Sequence, residues 1–334
     1  MRHRIAGAWV VAGMVVAAWS VDVARGQSAA ATPLVEARKG FKPKLVARGV
    51  DRDPVPDPPS GTFLKVTYPA KAGALSAYLT PDPKDGAKHP AIVWITGGDC
   101  NSVGDVWSSA DSANDQTAAA YRQAGIVMMF PALRGGNDGP GTKEGFLGEV
   151  DDVLAATDLL AKQPYVDPSR IYLGGHSTGG TLVMLVAAST DRYRGVFSFG
   201  PVDDVAGYPP VFLPFDVANP REIQLRSPIN WLDSIRSRTF VFEGKDGNMP
   251  SLQAMQAASK NPLVSFHPAA SGDHFSILAP INAKLAQKIL ADTGPNTNIA
   301  IAAADLEVRA PAPPPARVRR PASPLRRRGP GTRR

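Results

Sequence analysis

Residues 170–180 read Arg-Ile-Tyr-Leu-Gly-Gly-His-Ser-Thr-Gly-Gly, so a short apolar run ends in Gly-x-Ser-x-Gly and opens onto the helical stretch that continues through Leu182 and Val186. A serine at such a strand-to-helix turn presents its hydroxyl above a sheet only if Gly175 and Gly179 lack side chains that would strike the adjoining elements. Ser177 is therefore the candidate nucleophile. Its hydroxyl is a weak nucleophile at neutral pH and needs a base to take its proton, held in the right tautomer by a carboxylate. Of the five histidines, His3 lies in the leading apolar segment, His89 precedes a strand at the opposite end of the sheet, and His176 sits inside the turn, directed away from the reacting position. His274 follows the last strand and is the expected base, with His267 in reserve. Chain order places the acid after the run Phe240-Val241-Phe242. Asp246, in the loop beyond it, is the first choice and Glu243, at the strand terminus, the alternative; Asp203 and Asp204 are a weaker third option.

Acyl transfer also needs donors for an oxyanion, and backbone amides supply them. One is expected from Thr178, at the positive end of its helix. The other is expected from the turn Thr96-Gly97-Gly98-Asp99, at Gly98 with Asp99 adjacent. This chemistry implies no metal and no organic cofactor. Cys100 is the only cysteine, which rules out an intramolecular disulfide. No histidine or asparagine pattern around it indicates a thiol nucleophile.

These residues need a rigid frame. Residues 62–68 and 74–79 have the character of an antiparallel pair closed at Lys71-Ala72-Gly73. The continuous apolar runs 91–95 and 126–130 suit strands buried on both faces, with a helix expected over 114–123 between them. A covering helix is expected from Phe146 to about Ala161, carrying its acids on the outer face. Alternation continues with a strand ending at Gly174, a helix from Thr178, a strand 196–199, a loop-rich insertion to about Arg238, a strand 240–242, a helix from Ser251, a strand 263–266 and a helix 274–291. An antiparallel opening followed by strand-helix alternation predicts an α/β fold with a mostly parallel, doubly wound sheet over residues 61–295, helices on both faces and a short insertion before the acid-bearing strand.

With 334 residues, 43% of them apolar, the chain has material for a substantial core. Arg2 and Arg4 before the apolar run 5–21, and Ala24-Arg25-Gly26 before Gln27, have the pattern of a signal peptide over residues 1–26, so export to the periplasm or medium is expected; an uncleaved anchor is the alternative. No membrane span is expected once the signal is removed. Residues 27–60 form a Pro-rich lead-in. The net charge of +7 is misleading, because residues 309–334 hold nine arginines and no acid. Residues 296–334 are expected to be a disordered Pro/Arg-rich tail with no specific nucleic-acid partner.

Three further segments sharpen the picture. Pro131-Ala132-Leu133-Arg134-Gly135-Gly136 follows a strand, Val166-Asp167-Pro168-Ser169-Arg170-Ile171 leads into Gly-His-Ser-Thr-Gly-Gly, and Ser227-Pro228-Ile229 precedes the acid-bearing strand. With these, residues 61–292 resemble the catalytic domain of the prolyl oligopeptidase family and, more broadly, dienelactone hydrolase-like members of the α/β-hydrolase fold. The resemblance implies Ser177 as nucleophile, Asp246 as acid and His274 as base. The chain departs from the family pattern in three places. The lead-in is too short to fold the propeller that peptidase members carry, so gating by one is not expected. Thr96 stands where relatives often have His. Gly244-Lys245-Asp246 is one residue shorter than the usual Gly-x-x-Asp, which keeps Glu243 open as the acid.

Together these features predict an exported serine hydrolase that cleaves a small-molecule ester or a short acyl-peptide or amide bond through an acyl-enzyme. A serine-type peptidase of the same family and a catalytically silent binding protein are the alternatives. Substrate contacts are expected from Trp107 and Tyr208, with Phe212 and Phe215 as further candidates in the insertion.

Overall fold

Alternation along each strand explains the architecture. In the strand His89–Ile95, Ala91, Val93 and Ile95 pack into one apolar layer while Ile92 and Trp94 pack into another. In the strand Val127–Pro131, Val127 and Met129 face the first layer, and Met128 and Phe130 the second. Because successive side chains point to opposite faces, an unbroken apolar run is what a strand covered on both sides requires.

The computed structural model describes residues 33–308; the expected signal segment 1–26 and the arginine-rich residues 309–334 lie outside the described residues. Eight strands form one sheet: β1 (Leu64–Ala70), β2 (Gly73–Leu79), β3 (His89–Ile95), β4 (Val127–Pro131), β5 (Val166–His176), β6 (Gly195–Phe199), β7 (Thr239–Glu243) and β8 (Val264–Pro268), in the order β1-β2-β4-β3-β5-β6-β7-β8. β2 is antiparallel to both β1 and β4, and every other pairing is parallel. The first layer takes in α3 (Glu149–Ala161), α4 (Thr178–Ala187) and α6 (Met249–Ala258); the second takes in α2 (Ala119–Gln123) and α7 (Leu278–Ala291). The doubly wound α/β arrangement expected from strand-helix alternation is the one observed. No described helix is long and apolar enough to cross a membrane.

Register brings the functional segments together. Ile95 lies opposite Gly175, His176 opposite Phe199, and Phe199 opposite Phe242, so β3, β5, β6 and β7 end side by side. The loops that leave these carboxyl ends share one edge, where open parallel sheets bind ligands.

Several segments differ from expectation. The helix expected over 114–123 is only α2, because the Asp115 carboxylate binds the Thr117 and Ala119 amides and Ala118 is left-handed at φ 44°. The last helix begins at Leu278, not His274, because the Asp273 carboxylate holds the Phe275 and Ser276 amides in a turn. The insertion is less loop-like than expected and contains α5 (Pro220–Arg226), started by an Asn219 cap on the Arg221 amide. Residues 296–308, expected to be disordered, lie against α7: Ile299 is buried, Ile301, Leu306 and Val308 pack against the second layer, and Asp305 pairs with Lys288 at 2.9 Å. The lead-in also adds a short helix, α1 (Leu34–Arg38), with Leu34 fully buried.

Candidate active site

The turn from β5 into α4 is strained in the way the glycine pattern requires. Ser177 has φ 55° and ψ −115°, a region that costs a non-glycine residue on the order of 1–3 kcal/mol. The Ser177 amide is held by Phe199 O at 2.7 Å, and Ser177 O accepts from the Thr181 amide at 2.8 Å. A methyl group on Gly175 would come within 2.7 Å of the Gly179 carbonyl carbon, and one on Gly179 within 2.7 Å of Thr96 O. The crossing of strand and helix therefore needs both glycines.

The Nδ1 of His274 faces Glu243 Oε2 at 3.2 Å. Glu243 is fully buried, and its other oxygen accepts the Gly244 amide at 2.7 Å. Asp246, the first choice from chain order, is not brought to His274: its side chain is exposed, and its amide is tied to Gly272 O at 3.0 Å. The physical reason is the short loop, which turns back at once after β7 and leaves the strand's last residue under the histidine. Close-fitting glycines make the room. A methyl on Gly200, already at φ +60°, would lie 2.6 Å from His274 Nδ1 and 3.1 Å from Glu243 Oε2; one on Gly247 would lie 2.7 Å from Glu243 Cδ. The shortened Gly-x-Asp spacing was the sequence signal that Glu243, and not Asp246, would lie beside His274.

Ser177 and His274 both stand at the end of β6, where Phe199 O holds the Ser177 amide and the His274 ring stands over Gly200. Among the described residues no hydrogen bond joins Ser177 Oγ to the ring. Of the other histidines, His89 pairs with Asp85, and His267 stacks between Phe240 and Phe242 with its pKa pushed down to about 4 by burial and then by Arg238. Asp203 accepts from Ser251 Oγ at 2.8 Å, and Asp204 caps the Ala206 amide and accepts from Ser227 Oγ.

Gly98 and Thr178 stand together at the mouth of the turn. The Thr178 hydroxyl donates to Gly98 O at 2.9 Å, and Gly98 is left-handed at φ +74°. Among the described residues neither amide is taken by a hydrogen bond. The Gly97 amide, in contrast, donates to Gln116 Oε1 at 2.9 Å.

His176 has a connecting role that its direction away from Ser177 concealed. Burial, then the adjacent His274, pushes its pKa down to about 3, so it is neutral. Its Nδ1 accepts from Gln116 Nε2 at 2.7 Å, which leaves Nε2–H to donate to His274 O at 2.9 Å. One chain of hydrogen bonds thus links the Gly97 turn, Gln116, His176 and the backbone of His274. The regular helix expected over 114–123 concealed the Gln116 contribution.

A cavity of about 360 Å³ opens beside Gly98 and Thr178 and is lined in part by Phe146, Phe212 and Cys100. Tyr208 does not line it. Its ring stacks on Phe146 at 5.5 Å and its hydroxyl meets Thr181 Oγ1 at 2.7 Å, so it supports the wall from behind. Trp107 lies outside the cavity and packs edge-on to Tyr78 at 5.3 Å. Phe215 is buried, with the Arg226 guanidinium 4.0 Å over its ring.

Residues 112–260 match the prolyl oligopeptidase family. The chain is 32% identical over 126 residues to dipeptidyl-peptidase 5 of Porphyromonas gingivalis, covering 36% of this chain and 18% of that protein. It is 26% identical over 194 residues to the uncharacterized peptidase YtmA of Bacillus subtilis, covering 52% and 70%. The chain thus spans less than a fifth of the dipeptidyl peptidase. An acylaminoacyl peptidase solved in complex with Z-Gly-Gly-Phe-chloromethyl ketone superimposes with a TM-score of 0.58 at 16% identity, covering 73% of this chain and 44% of that one, a likeness of fold. With a glycine-framed serine at the sheet edge and this match around it, the chain has the α/β-hydrolase fold, and its residues 112–260 are similar to the prolyl oligopeptidase family.

Proposed function

We propose that this protein is a serine hydrolase that cleaves an ester or a short acyl-peptide or amide bond through an acyl-enzyme, with Ser177 as nucleophile, His274 as base and Glu243 as the carboxylate behind it. The observation that carries this is the buried Glu243–His274 pair standing over Gly200, one residue beyond the carbonyl that holds the Ser177 amide. His274 Nδ1–H donates to Glu243, which leaves Nε2 to take the Ser177 proton as Oγ attacks the carbonyl carbon. The tetrahedral oxyanion is received by the Gly98 and Thr178 amides, the latter at a helix N-terminus. His274 then protonates the departing alcohol or amine, and water, deprotonated by the same ring, releases the acid. Hydrogen bonds between nucleophile and base tighten when substrate binds, which supplies the serine-histidine contact that this step needs.

A peptidase reading is favoured by the two curated relatives described above, each of which carries a peptidase name. One experiment covers these alternatives. A fluorophosphonate probe is expected to label the folded protein and not its Ser177→Ala variant, and unlabelled wild-type protein is then compared on an acetyl ester and the matching acetyl-aminoacyl anilide. Faster cleavage of the anilide would replace the ester reading with the peptidase one. Failure to label folded protein would overturn the enzyme mechanism and leave a binding role.

A further inference from the structure

Residues 44–51 belong to the lead-in, yet two of them, Ala47 and Gly49, line the cavity beside Gly98 and Thr178. The Val46 and Ala47 amides both bind Pro214 O, at 2.8 and 3.2 Å, and Leu45 pairs with Phe215 in an antiparallel bridge. Further along, Gly49 O accepts the Lys143 amide at 3.0 Å and the Asp51 amide donates to Gly135 O at 2.9 Å. The Asp51 carboxylate accepts from Ser102 Oγ at 3.0 Å, just beyond the Gly98 turn. This strap therefore joins three separate loops, each of which borders the cavity or the turn beside it. Ala47 and Gly49 are themselves part of the cavity lining, together with Gly98 and Thr178.

We infer that the strap, through Ala47, is the specificity-determining wall of the cavity beside the oxyanion amides, and restricts the acyl side of the substrate to a compact, uncharged, apolar group. This rests on the proposed acyl-enzyme chemistry. The cavity's about 360 Å³ is near the lower end for small-molecule pockets. Phe146, Phe212, Pro210 and Pro214 give it apolar surfaces. Its two charged side chains, Lys143 and Asp99, neutralise each other at 2.7 Å, so no unpaired charge is offered to a substrate carboxylate or ammonium. Ala47 has the smallest side chain that an L-residue can place on this wall, and enlarging it takes volume directly from the occupant.

Three fluorophosphonates with methyl, benzyl and decyl groups on phosphorus place their substituent where the acyl group would lie. Wild-type protein is expected to react with the methyl and benzyl probes faster than with the decyl probe. Ala47→Trp is expected to slow benzyl labelling by about tenfold or more while changing methyl labelling by no more than about twofold, the size of effect that shape differences of a few methylenes produce in an apolar pocket. Ala47→Leu gives the same direction with smaller amplitude and serves if the indole prevents folding. Val46→Trp, at an exposed position on the same strap that does not line the cavity, is expected to leave the benzyl-to-methyl ratio unchanged. An unchanged ratio in both Ala47 variants, or an equal change in Val46→Trp, would overturn the assignment of the wall while leaving the hydrolase chemistry intact. Absence of labelling by all three probes would overturn the chemistry and the wall with it.

Discussion

Glu243 and Asp246 are three residues apart, carry the same functional group and occupy different environments. The first is the last residue of β7, fully buried, with one oxygen on the Gly244 amide and the other on His274. The second is exposed. A carboxylate that orients a histidine must be held in place, because an incorrectly presented tautomer cannot accept the serine proton. Glu243→Gln is therefore expected to lower kcat by about 10³–10⁴-fold with little change in KM, whereas Asp246→Asn changes kcat by no more than about threefold, as for a surface substitution. Steady-state kinetics of the two variants on one ester substrate separate the assignments; the opposite ranking would restore Asp246. Ser177 and His274 could be proposed from the sequence because the Gly-x-Ser-x-Gly turn holds one serine and His274 follows the last strand, with His267 the only reserve. The acid was not legible there, because a four-residue window held two carboxylates. The choice between them depends on where the chain closes against Asp273, next to which a methyl on Gly244 would stand 2.7 Å from the carbonyl carbon.

At the scale of elements, apolar runs bounded by glycine were enough to place the central strands, because a strand covered on both faces leaves no polar position along its length. Segments governed by side-chain capping were harder to read. Asp115 and Asp273 each use a carboxylate to hold following amides out of the helix, which period alone does not report. Residues 296–308 were obscured by the proline-rich sequence after them, and their order comes from a few apolar contacts with α7 and the Lys288–Asp305 pair. β6 illustrates how an element's end controls chemistry. Its carbonyl at Phe199 fixes the serine amide, and the next residue, Gly200, turns the chain at φ +60° with its open side toward His274. Gly200→Ala is expected to push the imidazole from Glu243 and reduce kcat by about 10²-fold, the order of loss that a displacement near 1 Å produces. The ring occupies the partly exposed rim of the site, so the variant should still unfold cooperatively, with a modest decrease in Tm. Unchanged kcat in a folded Gly200→Ala protein would show that the ring does not need this space.

Across the whole molecule, Asp292 connects the C-terminal end of α7 to the sheet and to the segment that follows. Its carboxylate accepts Arg194 Nε and Nη2 at 2.7 Å each, the Tyr172 hydroxyl at 2.6 Å, the Thr297 hydroxyl at 2.8 Å and the Asn298 amide at 3.0 Å. It is fully buried, and the paired Arg194 side chain is only 8% exposed. Burial by itself would raise the Asp292 pKa, but the hydrogen bonds from Arg194 and Tyr172, with those from Asn298 and Thr297, outweigh it and hold the group well below its ordinary 3.8. Since the folded value lies below the unfolded one, the contribution is fully present above the unfolded value and is lost as pH falls toward the folded value. Asp292→Asn leaves Arg194 buried without its counter-charge, a change that costs about 3–5 kcal/mol. Urea unfolding should give that difference from wild type at any pH above about 5, and the two curves should converge as the pH falls below about 4. The site lies at the opposite end of α7 from His274, so kcat per folded molecule should be unchanged. Stability curves that remain parallel down to low pH would mean that the lost stabilisation comes from shape at the Asp292 site and not from its charge.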